Sequence, residues 1–335
     1  GRSFTALLGE VLDDYSARLW GNDTTSHAPD GPRFADHCRA LADLDHAPAR
    51  AHFRTVLAGF DTANTVDLGT PPDTNPGPFK AIRQTVLTRD ATAMLETKAR
   101  NGDTTVATLV NAAWGLVLAR CSARADAVFG VTRAGRHLIP GAQDIVGCLI
   151  NTVPLRLKLP EGTRIDDLLG AIRQDQLAVR AFEYTPLTEI ARCSGLPGGA
   201  ALFDTAVMFE RGSVDASLRT RGGAWASRRI EVLEQGALPL TLAVYHDPEM
   251  LLRLEFDPAR YGADLACRLL DYTTQALDDL ARLPDDTAIS RVNIVPAAEK
   301  ARLLALGTPA PLKDIPSCVV SAFAVVVQDH GAAPA

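Results

Sequence analysis

Phe4, Leu7, Leu8, Val11, Leu12 and Tyr15 recur at three- and four-residue spacing, which is one apolar helix face, and Ser3 is placed to cap its first turn. A polar loop over 21–32 follows. Two further helical patterns cover about 34–44 and 48–60, with Pro48 suited to a first turn, where its missing N–H leaves no bond unmade. Residues 67–78 are rich in proline and glycine and lack periodicity, so they read as a linker.

Beyond the linker the period changes. A strand is expected over 82–87 and a helix over 90–100 that stops near Gly102. Val106, Leu109, Val110, Ala113, Trp114, Val117 and Leu118 then trace a helix that starts after Thr104 and Thr105. Residues 127–132 form a short β-rich run. Val153, Leu155, Leu157 and Leu159 alternate with Pro154, Arg156 and Lys158, the period of a half-buried strand with Arg156 facing outward. A helix is expected over 165–182 and strands over 202–209, 228–234, 238–245 and 251–257. In the last strand Leu252, Leu254 and Phe256 oppose Arg253 and Glu255. A long helix over about 263–282 follows. Strands lie next to one another in the order, so the fold is mixed α and β without regular βαβ repetition.

Composition narrows the class. Of 335 residues 47% are hydrophobic, enough for a sizeable core, and the length suits two domains or one large one. A net charge of −6, from 34 Lys and Arg against 40 Asp and Glu, lacks the basic footprint of a nucleic-acid binder. No apolar run reaches the ~20 residues of a membrane span. Cys38, Cys121, Cys148, Cys193, Cys267 and Cys318 have no CxxC spacing and read as reduced core thiols of a cytoplasmic protein, with no metal site. Phosphate-loop, dinucleotide, nucleophile-elbow and zincin motifs are absent, and the seven histidines lack metal spacing.

The densest unusual stretch is 130–157, GVTRAGRHLIPGAQDIVGCLINTVPLRL. By itself it reads as a loop joining two strands. Asn151, set among apolar neighbours, needs a partner when buried, which leaves a site role and simple strand capping both open. Gly135-Arg136, Asp144-Ile145-Val146-Gly147 and Ile150-Asn151-Thr152-Val153-Pro154-Leu155-Arg156 together resemble the GR…VGxxINTxPLR pattern of the condensation domain of nonribosomal peptide synthetases. Other segments are similar in the same order. They are Ala112-Ala113-Trp114, the EYTPLTEI run over 183–190 and the LFDTAVMFE run over 202–210. The resemblance covers about residues 1–298.

That resemblance implies an α/β (α+β), chloramphenicol-acetyltransferase-like fold of two lobes. Residues 1–74 would be the rear of the first lobe, 75–297 the second lobe, and 298–335 a linker running into a possible adenylation domain; the tail reads equally as a disordered extension. The implied activity is amide-bond formation between aminoacyl and peptidyl thioesters. Upstream and downstream peptidyl carrier domains present these on phosphopantetheine, the condensation domain itself binding no cofactor, and an adenylation domain is the expected neighbour. Gly1 resembles the last residue of the family's HHxxxDG motif, so the catalytic histidines are expected upstream and this chain alone is expected to be inactive. Arg136 matches the arginine that pairs with the motif aspartate across the lobes, and Asn151 matches a tunnel-wall asparagine. Arg211 stands where many members have Asn, and His137 matches no functional position and reads as a solvated loop residue. An epimerisation or cyclisation relative, or a non-catalytic carrier-docking module, would share these features.

Overall fold

Thr105 starts the helix on which the rest of the molecule is assembled. Its hydroxyl accepts from the Thr108 amide, a capping bond that satisfies one of the donors a helix start leaves unpaired. The helix it caps is α5, which in chain order follows α1 (Arg2–Leu19), α2 (Phe34–Ala42), α3 (Ala47–Val56), β1 (Ala81–Val86) and α4 (Arg89–Asn101). α5 (Val106–Cys121) is buried on every side from Thr108 to Ala119, so it is a central helix rather than an amphipathic one. There follow β2 (Asp126–Arg133), β3 (Asn151–Lys158), α6 (Ile165–Val179), α7 (Leu187–Ala191), β4 (Thr205–Arg211), β5 (Leu240–His246), β6 (Leu251–Phe256) and α8 (Ala263–Arg282). The computed structural model describes residues 2–19, 21, 31–64, 66, 80–198, 200–211, 236, 238–307 and 318–330. The expected linker over 67–78 and strand over 228–234 lie outside the described residues.

The six strands form one mixed sheet in the order β1-β6-β5-β4-β2-β3. β4 runs parallel to both β2 and β5, and the remaining neighbours are antiparallel. Side chains alternate across a strand, so helices can cover both faces at β2 and β3. Phe129 and Leu157 meet α5 at Gly115, where an added Cβ would stand 2.1 Å from Leu157 Cδ1. On the opposite phase Val128 packs with Phe53, Leu57 and Phe60 from α3 and the turn after it, together with Ile190, Leu202 and Phe203. β3 is therefore buried on both faces, and the expectation of a half-buried strand with Arg156 outward is overturned. Arg156 lies under the chain that leaves α3, donating to the carbonyls of Val56 and Ala58 at 3.0 and 2.8 Å.

Asn64 completes β2. The β2–β4 ladder pairs only Gly130 and Val131, which leaves the start of β2 without a neighbouring strand. The buried Asn64 amide takes that place: Oδ1 accepts from the Val128 N–H at 2.8 Å and Nδ2 donates to the Asp126 carbonyl at 2.7 Å. Buried backbone groups are nearly always paired, and here one side chain supplies two bonds of a missing strand.

Two expectations about particular residues also change. Ser3 lies inside α1 and bonds to a distant loop instead of capping the helix. The cysteines are free as expected, but Cys38, Cys148, Cys267 and Cys318 are exposed, so they are not core thiols. Burial pushes the Cys121 thiol up to about 11, which keeps it protonated and inert. The α1 stripe forms, with Leu12 buried and Phe4, Leu7, Val11 and Tyr15 exposed. Residues 1–294 make one compact unit; a second, 295–335, holds α9 (Ala297–Gly307) and the apolar α10 (Val319–His330). Among the described residues no single helix is long and apolar enough to cross a membrane.

Candidate functional site

β2 ends at Arg133, and the chain then turns through Gly135 at φ +59°, a left-handed conformation that favours glycine. A Cβ there would lie 2.0 Å from the Leu149 carbonyl oxygen, a backbone atom that cannot step aside. This close crossing delivers Arg136 inward. Its Nη1 donates to the carbonyls of Ala142, Gln143 and Ile145 at 3.2, 3.1 and 2.8 Å, closing the loop on itself. Its Nη2 donates to Ser3 Oγ at 2.7 Å, and that hydroxyl donates to the Gly147 carbonyl and accepts from the Gly147 amide. With one donor and two acceptor positions in use, Ser3 is fully satisfied, and α1 is tied to the loop through it.

Asn151 opens β3, and both of its amide protons are engaged. Nδ2 donates to the carbonyls of Glu183 at 2.8 Å and Thr185 at 2.9 Å, which anchors the turn between α6 and α7. Glu183 is buried yet ionisable, and a buried carboxylate needs partners. It finds Arg133 Nε at 3.0 Å and His137 Nδ1 at 3.2 Å. His137 Nε2 reaches the Arg180 carbonyl at 3.1 Å, and the His137 amide donates to the Tyr184 hydroxyl. His137 is therefore a bridging residue and not a solvated one. Three segments that are far apart in sequence, 133–137, 151 and 183–185, meet here beside α1. They border an open cleft of about 510 Å³ between α5 and α6.

A second network stands behind the first. Trp114 is completely buried in α5 and its Nε1 donates to Thr205 Oγ1 at the start of β4, at 3.2 Å. Asp204 accepts from the Tyr261 hydroxyl at 2.6 Å, and burial together with that carboxylate pushes the Tyr261 phenol well above its usual range. The side chain of Arg211 and all of Gly1 lie outside the described residues.

Sequence reasoning points to Arg136 and Asn151 but does not single out Ser3, Arg133 or Glu183. The one local signal is a carboxylate between two aromatics, Phe182 and Tyr184, which forecasts burial with a compensating cation.

His37 on α2 is buried between Phe34 and Tyr184, its Nδ1 has no hydrogen-bond partner, and burial plus the Arg136 charge hold its pKa below the ordinary histidine value. The unfolded chain then takes up a proton first as pH falls through about 6.5, so stability present above that pH is lost below it. His52, also lowered by burial, adds the same sign. Thermal melts of the chain at pH 7.5 and 5.0 are expected to differ more than those of His37→Phe, which keeps the ring packing and removes the titration. Equal differences would show that His37 does not titrate in this way.

Comparison with solved structures assigns this arrangement to the chloramphenicol-acetyltransferase-like fold. The X-domain from teicoplanin biosynthesis aligns with TM-score 0.69 at 19% identity over 88% of this chain and 69% of its own. A four-domain nonribosomal peptide synthetase aligns with TM-score 0.72 at 13% identity over 89% of this chain and 24% of its own. The Condensation domain family profile matches residues 1–304, and the chain belongs to that family, the peptide-bond-forming component of nonribosomal peptide synthetases. A linear gramicidin synthase of Brevibacillus parabrevis is 31% identical over 292 residues, 87% of this chain and 6% of the synthase. Chondramide synthase cmdD of Chondromyces crocatus is 29% identical over 322 residues, 94% of this chain and 8% of the synthase. The chain thus spans under a tenth of these curated relatives.

Proposed function

We propose that this chain is part of a condensation domain that joins two carrier-bound acyl groups by an amide bond, in a multidomain synthetase with peptidyl carrier and adenylation neighbours. The observation that carries the reading is the convergence on Ser3 of α1 and the loop closed by Arg136, with Asn151 anchoring the turn that holds Glu183 beside it. The carriers' phosphopantetheine arms bring both substrates as thioesters. The acceptor amine attacks the donor thioester carbonyl, the carbon becomes tetrahedral with an oxyanion, the amine loses a proton, and the thiolate leaves. Orienting two tethered reactants in one passage supplies much of the rate, because a bimolecular encounter becomes effectively intramolecular.

In this reading Gly1 closes an HHxxxDG motif whose second histidine, upstream, takes the amine proton. The Arg136 guanidinium holds α1 and pairs with the motif aspartate, so it positions the histidine without touching substrate. Asn151 lies at the tunnel wall and keeps the 183–185 turn in place.

The test uses the parent synthetase with donor and acceptor carriers loaded as aminoacyl thioesters, and mass spectrometry for dipeptidyl thioester. Product is expected from the parent and none above background from the isolated chain. Alanine at the second motif histidine should abolish product, and Arg136→Ala should cut turnover at least tenfold. Product that survives the histidine replacement, or that forms on the isolated chain, would sink the assignment.

A further inference from the structure

The open cleft between α5 and α6 carries a charge that the rest of the chain does not. Arg173, Gln176, Leu177 and Arg180 follow one another at the three- and four-residue spacing of a single α6 face, and all four line it. Arg133 and Arg136 form the facing floor. Against these four guanidinium groups stand two carboxylates. Glu183 is already taken by Arg133 and His137, and Asp103 pairs with Arg173 from a side chain that is 88% exposed. Four positive less two negative charges leave +2 in the cleft, in a chain whose net charge is −6. Arg180 has no side-chain partner among the described residues, and an exposed pair such as Arg173–Asp103 is readily exchanged for a stronger anion.

The other wall adds neutral donors. Thr105 and Thr108 line the cleft at the start of α5, their hydroxyls 2.9 Å apart, where the positive end of a sixteen-residue helix also favours an anion. Guanidinium forks and hydroxyls match the several oxygens of a phosphate better than a single carboxylate. The space of about 510 Å³ is far larger than a bare phosphate, so the bound group is the charged part of a longer molecule.

We propose that this cleft is a phosphate site, in which Arg173 and Arg180 grip the phosphodiester of a carrier's phosphopantetheine arm and the thioester end extends toward the floor at Arg136. The identity of the arm rests on the function proposed above; the phosphate site does not. Arg133 is a positioning residue in this scheme, since it neutralises Glu183 and prevents that carboxylate from repelling the ligand. Binding driven by charge weakens as salt rises.

Titration calorimetry on the chain itself tests the site with three probes: 4′-phosphopantetheine, pantetheine and inorganic phosphate. Phosphopantetheine is expected to bind at least tenfold tighter than pantetheine, less tightly at higher salt, and the double variant Arg173→Ala/Arg180→Ala should erase that preference while its melting temperature holds. Equal binding of pantetheine and phosphopantetheine, or a preference that survives the double variant, overturns the site. Inorganic phosphate bound as tightly as phosphopantetheine overturns the arm as the occupant. In the parent synthetase the same variant should raise KM for a carrier-bound thioester at least tenfold relative to KM for the matching N-acetylcysteamine thioester, which has no phosphate. A parent that makes no peptide at all fails the function above, and the calorimetric result stands apart from it.

Discussion

Replacing Arg156 by alanine is expected to lower the melting temperature of the chain by roughly 6 to 15 °C, the shift that about 3–5 kcal/mol produces in a unit of this size. The side chain is 6% exposed and all of its donor groups are engaged. Nε bonds both Asp126 oxygens at 3.1 and 3.0 Å, Nη2 bonds Oδ2 at 2.5 Å, and Nη1 serves the Val56 and Ala58 carbonyls. The guanidinium also lies 5.5 Å from the centre of the Phe60 ring. Alanine would leave Asp126 half-buried without its cation and two carbonyls without donors. Truncating one partner of such a pair costs far more than the net value of the pair, because the surviving charge stays desolvated. Arg156→Lys should recover only part of the loss, since an ammonium cannot span a carboxylate and two carbonyls at once. Arg164→Ala is the control: its pair with Asp166 is 47% and 45% exposed, and its removal should cost under about 1 kcal/mol. If Arg156→Ala melts within about 2 °C of the wild type, which at this size is under about 1 kcal/mol, the buried pair is not as drawn.

Trp114→Ala should destabilise the chain by about 3–5 kcal/mol, because the indole packing disappears and leaves a cavity in a helix with no exposed side to collapse from. Trp114→Phe separates packing from hydrogen bonding. It keeps most of the apolar packing but leaves the hydroxyl of Thr205, itself 1% exposed, without its donor, a loss of about 1–3 kcal/mol. Adding Thr205→Val to Trp114→Phe removes that stranded hydroxyl, and the pair should cost less than the sum of the two single changes. The comparison reads from urea midpoints at constant slope, where a coupling energy appears as non-additivity. Strict additivity would mean that the Trp114–Thr205 bond contributes nothing and that α5 and β4 are joined by packing alone.

The local elements were legible from residue order because their causes are local. The stripe Leu265, Leu269, Tyr272, Ala276 and Leu280 of α8 follows helical period and is buried as that period requires. The alternation of Leu252, Leu254 and Phe256 in β6 placed all three inside. Thr105 and Gly102 marked helix boundaries by capping chemistry that involves only neighbouring residues. The Gly135-Arg136 and Ile150–Arg156 motifs pointed to the family, and the same positions proved to be where the loop closes and the 183–185 turn is anchored.

Period alone failed at β3. Alternation implies one wet face only when nothing covers the polar phase, and whether the chain after α3 returns over Arg156 depends on contacts about 100 residues apart. Asn64 could not be recognised for the same reason: its role exists only because the β2–β4 ladder is short. The grouping of Arg133, His137 and Glu183, and the charge of the cleft beside them, likewise follow from bringing α6 across β2. Residue order determined the secondary elements, the family and two of the site positions, since propensity, capping and motif chemistry act over a few residues. The tertiary structure decided strand order, which polar groups are buried and who pairs with them, because burial belongs to the packed surfaces that meet and not to either segment alone.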